Sequence, residues 1–334
     1  MKTLYQESTL KMSEAIHHYF SLVEETNNFE NISIENLNDD ISKLIIAGGK
    51  GIEFDGMSSE ELLKELNRFK AINFDIEAGV SAFVYNQSRA YIQELYRLAE
   101  ELSNNFSELS PEKVKNSPYL LPIWQSVLNI SSKANLKKIF GTATDMNISK
   151  PSSEKISEYA NDYFGKHKVE KQRVIERTER TLEGIVRDLI GRLLFEAIVE
   201  KALLKYQVPF TKEEDYIGIK GVVYDFRADF VIPNSEQPLA FIEVRKSSSR
   251  HASLYAKDKM FSAINWKGKN QKMLGIVVAE GEWTKESLKA MSKVFDFVVP
   301  VASAEMLAQE IKKYLDGDNT VLKWIIDFNI RSNE

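Results

Sequence analysis

Residues 224–246 read YDFRADFVIPNSEQPLAFIEVRK: two short runs rich in Phe, Val and Ile, separated by a break that carries Pro, Asn and Ser. That composition marks two strands joined by a turn. Alternate residues of a strand share a face, which sets Asp225, Arg227 and Asp229 together on the first run. On the second run it sets Phe241, Glu243 and Arg245 on one face, and Val244 and Lys246 on the other. Each run therefore holds a carboxylate in the middle of an apolar stretch. Burying an uncompensated carboxylate is costly, so acids in this setting require a cation, and a bound divalent metal is one. Oxygen-only ligands suit Mg2+ or Mn2+.

Working outward, YIGIKGVV before this run and KMLGIVVAEG and FDFVVPV after it have the same β-branched and aromatic character and read as strands. LYAKDKMFSAINW, TKESLKAMSKVF and SAEMLAQEIKKYL between and after them carry helical periodicity, as does the long stretch 170–206, with Gly184 or Gly191 as its expected break. The order α, β, β, β, α, β, α, β, α predicts an α/β (α+β) domain, a mixed central sheet flanked by helices. The first part of the chain is helical instead. EAIHHYFSLVEE, SSEELLKELNRFKAI and SAFVYNQSRAYIQELYRLAEELSNNF space apolar residues by three and four, and Ser58 with Glu61 forms a capping-box pattern. SPEKVKNSPYLLPI, with three prolines, is expected as a loop or broken helix. No internal repeat is evident. The connection around Pro151 places the expected boundary between a mostly helical domain, 1–165, and the sheet domain, 166–334.

The chain has 334 residues, no cysteine and four histidines, which excludes disulfides and thiolate chemistry and argues against a His-rich zinc site. The absence of a long apolar run or secretory leader leads to the expectation of a cytoplasmic protein without a membrane span. The formal net charge is −5, yet it is unevenly spread: residues 246–293 hold ten Lys and Arg against four Asp and Glu. A local basic face governs attraction to phosphates more than the global sum does.

Asp229, thirteen residues, then Glu243-Val244-Arg245 resembles the motif of the PD-(D/E)XK nucleases, a superfamily that includes many type II restriction endonucleases. The resemblance runs from about residue 183 to 300, through the helix GRLLFEAIVEKALLKY, the strand ending RADFVIP, the strand AFIEVRK, a basic helix and the strand KMLGIVVAE. It implies a restriction-endonuclease-like core, and Mg2+, with Mn2+ as substitute, held by Asp229, Glu243 and the carbonyl of Val244. Lowering the pKa of a bound water and stabilising charge on the scissile phosphate is what such a cation contributes. Glu196 matches the accessory acid, with Glu183 as competitor. The implied substrate is double-stranded DNA, the implied assembly a homodimer, and the helical first domain is expected to supply DNA recognition or dimer contacts. The sequence departs from the motif twice. Ala228 stands in the proline position, and Arg245 fills the lysine position, where it can hold phosphate charge but is too basic to deprotonate water. Arg245 is the positional match for that role, followed by Lys259 and Lys246, with Lys257 a further option.

The following RKSSSRH, with Lys246, Ser248, Arg250 and Lys257, suits contacts to a DNA backbone. Other features read as structural: His251 alone and the diverging pair His17-His18 make poor ligands, and Trp283 reads as packing. The glutamate-interleaved KHKVEKQRVIERTER reads as a salt-bridged, solvated helix. Three alternatives follow from the same residues: a DNA-binding protein without cleavage, a repair or recombination nuclease, and a helical interaction protein whose sheet carries structural ion pairs such as Arg227 to Glu243.

Overall fold

The computed structural model describes residues 1–54, 56–248 and 251–332. The chain forms two compact units, Met1–Ile190 and Gly191–Glu334. The division falls later than residue 165 because the helix 171–189 packs within the first unit, against the helices 76–102 and 121–127.

The first unit is helical. Its elements are α1 (Leu4–Glu25), α2 (Asp40–Gly49), α3 (Ser59–Arg68), α4 (Ile76–Leu102), α5 (Pro111–Asn116), α6 (Leu121–Val127), α7 (Lys133–Phe140), α8 (Lys150–Lys166) and α9 (Lys171–Leu189). Central α4 contacts α1, α2, α6 and α9. The Ser58–Glu61 capping box forms as expected, satisfying orphan amides at the start of α3. The three-proline stretch resolves into α5, a short 3-10 turn at Pro118–Leu120 and α6. One short motif does recur: Thr26-Asn-Asn-Phe29 ends α1 and Ser103-Asn-Asn-Phe106 ends α4. In both, the hydroxyl donates back to a helical carbonyl, Leu22 or Ala99, and accepts from the phenylalanine amide. The three residues that follow it are left-handed, with φ of 49°, 58° and 63° in the first copy. Asn tolerates that region better than other non-glycine residues, which explains the paired asparagines.

The second unit carries the sheet. A π segment, Ile190–Leu194, leads into α10 (Phe195–Lys205), so the long helix breaks around Gly191 and not at Gly184. Then come β1 (Thr211–Lys212), β2 (Phe230–Ile232), β3 (Ala240–Ser247), α11 (Ala252–Lys269), β4 (Leu274–Gly281), α12 (Lys285–Met291), β5 (Phe297–Val299) and α13 (Ala304–Leu315). From β2 onward the element order is the one the sequence implies, whereas β1 was not expected; the sheet is mixed, with β1, β2 and β3 antiparallel and β3, β4 and β5 parallel. Parallel neighbours require crossovers, and α11 and α12 provide them.

Two strand expectations are corrected. YIGIKGVV is not a strand, and the run through Asp225, Arg227 and Asp229 is extended only from Phe230 onward, with one isolated bridge between Ile219 and Phe226. Asn265 of α11 is the physical reason. Its backbone carbonyl and side-chain oxygen accept from the amides of Val222 and Val223, and its side-chain amide donates to the Tyr224 carbonyl. Gly221 passes so close that a Cβ there would lie 1.9 Å from the Asn265 Nδ2. Backbone groups that a strand neighbour would satisfy are thus taken by one residue, through its main chain and its side chain. On the covered face of the sheet, Val231, Phe241 and Val277 pack with Trp266 and Ala263 of α11, and Phe241 meets Trp266 edge-on at 4.5 Å. Each such fully buried large side chain contributes about 1.5–3 kcal/mol.

Candidate active site

The register of β2 against β3 pairs Phe230 with Ile242, which brings Asp229, the residue just before β2, beside Glu243 and Val244. The Asp229 carboxylate accepts from the Val244 amide at 2.6 Å. Glu243, in mid-β3, is 3% exposed. Its Oε2 lies 2.6 Å from the Lys259 ammonium of α11. Lys259 belongs to the sheet-facing stripe of that helix, three residues after buried Ala256 and four before buried Ala263.

Burial dominates the electrostatics. It pushes the Glu243 carboxyl up to about 7, with the Asp229 charge adding to the rise and the Lys259 ammonium opposing it. Asp229 is likewise raised by burial, against the Val244 amide and Lys259, which lower it. Glu196, on the first turn of α10, is pushed up to about 8 by burial and then by the charge of Asp229, with Lys212 and Arg192 opposing. Lys259 is raised by its carboxylate neighbours in spite of burial and stays protonated at neutral pH. Three acids thus share one electrostatic neighbourhood, Asp229 acting on both Glu196 and Glu243.

The other candidates divide. Arg245 faces Tyr255, its guanidinium 4.2 Å from the ring centroid, and its buried Nε has no hydrogen-bond partner among the described residues. It also lowers the pKa of Asp229, so it lies near the acids without pairing to them. Lys246 turns to the opposite side of β3, its ammonium 5.7 Å from the Phe195 ring of α10, and Lys257 is exposed. Of the four options for the lysine role, Lys259 is the one in contact with Glu243. Ser248 accepts a backbone bond from His251 through its carbonyl, and Arg250 lies outside the described residues. Glu183 belongs to the first unit, on α9. The pair expected between Arg227 and Glu243 is not formed: Arg227 lies 3.6 Å from Glu213 instead. Trp283 packs against the core and donates to the Glu280 carbonyl, as its structural reading implied.

Two neighbours escaped the sequence. Glu213 follows β1, donates its amide to the Asp229 carbonyl at 3.1 Å, and adds negative charge near Asp229 and Glu196. Tyr216 donates its hydroxyl to the Ala228 carbonyl at 2.8 Å and accepts from the Ala228 amide at 2.5 Å, which fixes the backbone next to Asp229. Both reach the site through an irregular segment, where periodicity carries no signal.

Among the described residues, no three His, Cys, Asp or Glu side chains converge as a metal-ligating group. Two carboxylates are nevertheless a sufficient protein share for Mg2+, which keeps several waters and completes its shell with substrate phosphate. When both are ionised, Asp229 and Glu243 place two buried negative charges against the one ammonium of Lys259. The donor set therefore fits a small, oxygen-seeking divalent cation. No helix among the described residues is long and apolar enough to cross a membrane. Comparison with protein-family models, curated proteins and solved structures gives no match to this chain.

Proposed function

We propose that the second unit hydrolyses phosphodiester bonds of double-stranded DNA as a divalent-cation-dependent endonuclease, of the type II restriction kind. One observation carries the reading: Glu196, Asp229 and Glu243 interact in one place with their carboxyls raised by burial, and Lys259 sits against Glu243. Acids held at such cost in stability, at the edge of a basic segment, are what a phosphate-processing site requires. Asp229, Glu243 and the main chain of Val244 would hold Mg2+ or Mn2+. When bound, the cation supplies positive charge to the scissile phosphate and lowers the pKa of water.

The chain's own groups have distinct tasks. Lys259, protonated throughout the physiological range, stabilises charge that develops on the phosphate and does not act as a base. Glu196 carries a proton at neutral pH in the cation-free protein, so it is the group able to exchange a proton with water there. Arg245, held by stacking on Tyr255 and with a donor left over, suits a contact to a phosphate oxygen. Double-stranded DNA cut at a two-fold symmetric site would call for two copies of the chain.

The Lys259–Glu243 ion pair favours one competing reading, because it neutralises Glu243 without any metal. The protein would then bind DNA and leave it intact. Incubating the protein with phage DNA in Mg2+ and in EDTA separates the two. Discrete fragments in Mg2+ alone support the nuclease, retarded but uncut DNA supports the binding protein, and no interaction at low salt removes both.

A further inference from the structure

The first unit contains a cavity of about 670 Å³, formed where the chain leaves α1, α2 and α3 and enters α4. Its size lies within the roughly 300–1,000 Å³ of small-ligand sites. Lys50 lines it, and this lysine is only 8% exposed. The Lys50 ammonium makes one hydrogen bond, to the Ile72 carbonyl at 2.6 Å, and has no carboxylate partner among the described residues. An ammonium carries three donors, so a nearly buried one with a single neutral acceptor is under-satisfied. Lys70 adds a second positive charge to the wall and Glu30 one negative charge, which leaves the cavity suited to an anion.

The rest of the lining is specific in a different way. Asn28, Asn31, Asn67 and Asn73 all face the cavity, and none of their side-chain amides makes a hydrogen bond to a described residue. Each presents a donor and an acceptor side by side, the pattern that matches the edge of a nucleobase. Phe29 and Phe74 also line the cavity, stacked on each other at 3.6 Å with an interplanar angle of 1°. Gly49 permits this arrangement, since a Cβ there would lie 2.1 Å from the Phe74 ring. The left-handed Asn27, Asn28 and Phe29 aim the first ring into the stack.

We infer that this cavity binds a nucleotide, its base read by the asparagine amides and its phosphate charge met by Lys50 and Lys70. The source is either a free nucleotide or a base extruded from a DNA strand. The inference stands on the first unit alone and does not rest on the nuclease reading.

The test uses the full chain in EDTA. One arm titrates the four 5′-deoxynucleoside monophosphates to about 1 mM by calorimetry. A second arm follows the fluorescence of 2-aminopurine within a single-stranded oligonucleotide. Both are repeated with Lys50→Met and with the doubly substituted Asn67→Ala/Asn73→Ala. The expected result is binding in at least one arm that weakens at least about tenfold in both variants. Binding of the monophosphates identifies a free nucleotide as the source, whereas a response of the oligonucleotide alone identifies an extruded base. Absence of binding in both arms overturns the inference. So does binding that the asparagine double variant leaves within about twofold, since Asn67 and Asn73 are exposed and their loss does not threaten folding.

Discussion

Replacing Glu196 with Gln removes an ionisable group while keeping its shape, and the consequence for stability depends on pH. The Glu196 carboxyl titrates at about 8 in the folded chain, against 4.5 for the free side chain. Between those values the folded state holds a proton that the unfolded state has released, so stability falls as pH rises. The contribution is fully present below about pH 4.5 and is lost as pH passes through about 8. A shift of this size corresponds to an upper bound of about 4–5 kcal/mol. Partial exposure of Glu196 reduces it, and about 2–3 kcal/mol between pH 5 and 8 is the working figure. Urea unfolding in EDTA at both pH values measures it for wild type and Glu196→Gln. The wild type should lose about 2–3 kcal/mol more than the variant across this interval, and the variant should be the more stable of the two at pH 8. If the two proteins respond to pH in parallel, Glu196 is not in the charged neighbourhood described above and the proton role assigned to it is wrong.

Three further outcomes can be checked. Lys259→Met removes the ammonium beside Glu243, and single-turnover DNA cleavage in Mg2+ should fall by at least about a hundredfold while retardation of DNA in EDTA persists. Tyr216→Phe leaves both polar groups of the Ala228 peptide without their partner, which should cost about 1–3 kcal/mol in urea unfolding and slow cleavage by displacing Asp229. Asp296→Asn breaks an ion pair with Lys267 in which both side chains are 0% exposed, and should cost about 3–5 kcal/mol. Asp296 also accepts from the amides of Gly275, Lys323 and Trp324, so the C-terminal segment should become more protease-sensitive in the same variant.

Much of the sheet was legible because β3 and β4 are continuous apolar runs bounded by turn residues, and such runs report strands directly. Glu243 stood out for the same reason, as an acid inside one of them. Asp229 was legible as a residue, but its setting was not. The extended segment expected around it is held by Asn265, a partner about forty residues away that no local pattern reveals. Lys259 was present only as an alternative to Arg245. Its position on the sheet-facing stripe of α11, between Ala256 and Ala263, was the signal that separates it from exposed Lys257. Glu213 and Tyr216 come from a segment without period, and the asparagine-lined cavity is assembled from three separate stretches of the first unit. Side chains gathered from loops carry no sequence period, and their convergence is visible only in three dimensions.

Wild type and Asp229→Asn, prepared in parallel and incubated with phage DNA in Mg2+, test the proposed chemistry most directly. Discrete fragments from the wild type, intact DNA from the variant and equal retardation by both in EDTA are the expected results. Cleavage by Asp229→Asn at the wild-type rate, or no cleavage by either protein in Mg2+ or Mn2+, would contradict the assignment of Asp229 and Glu243 as the metal-holding pair of a nuclease.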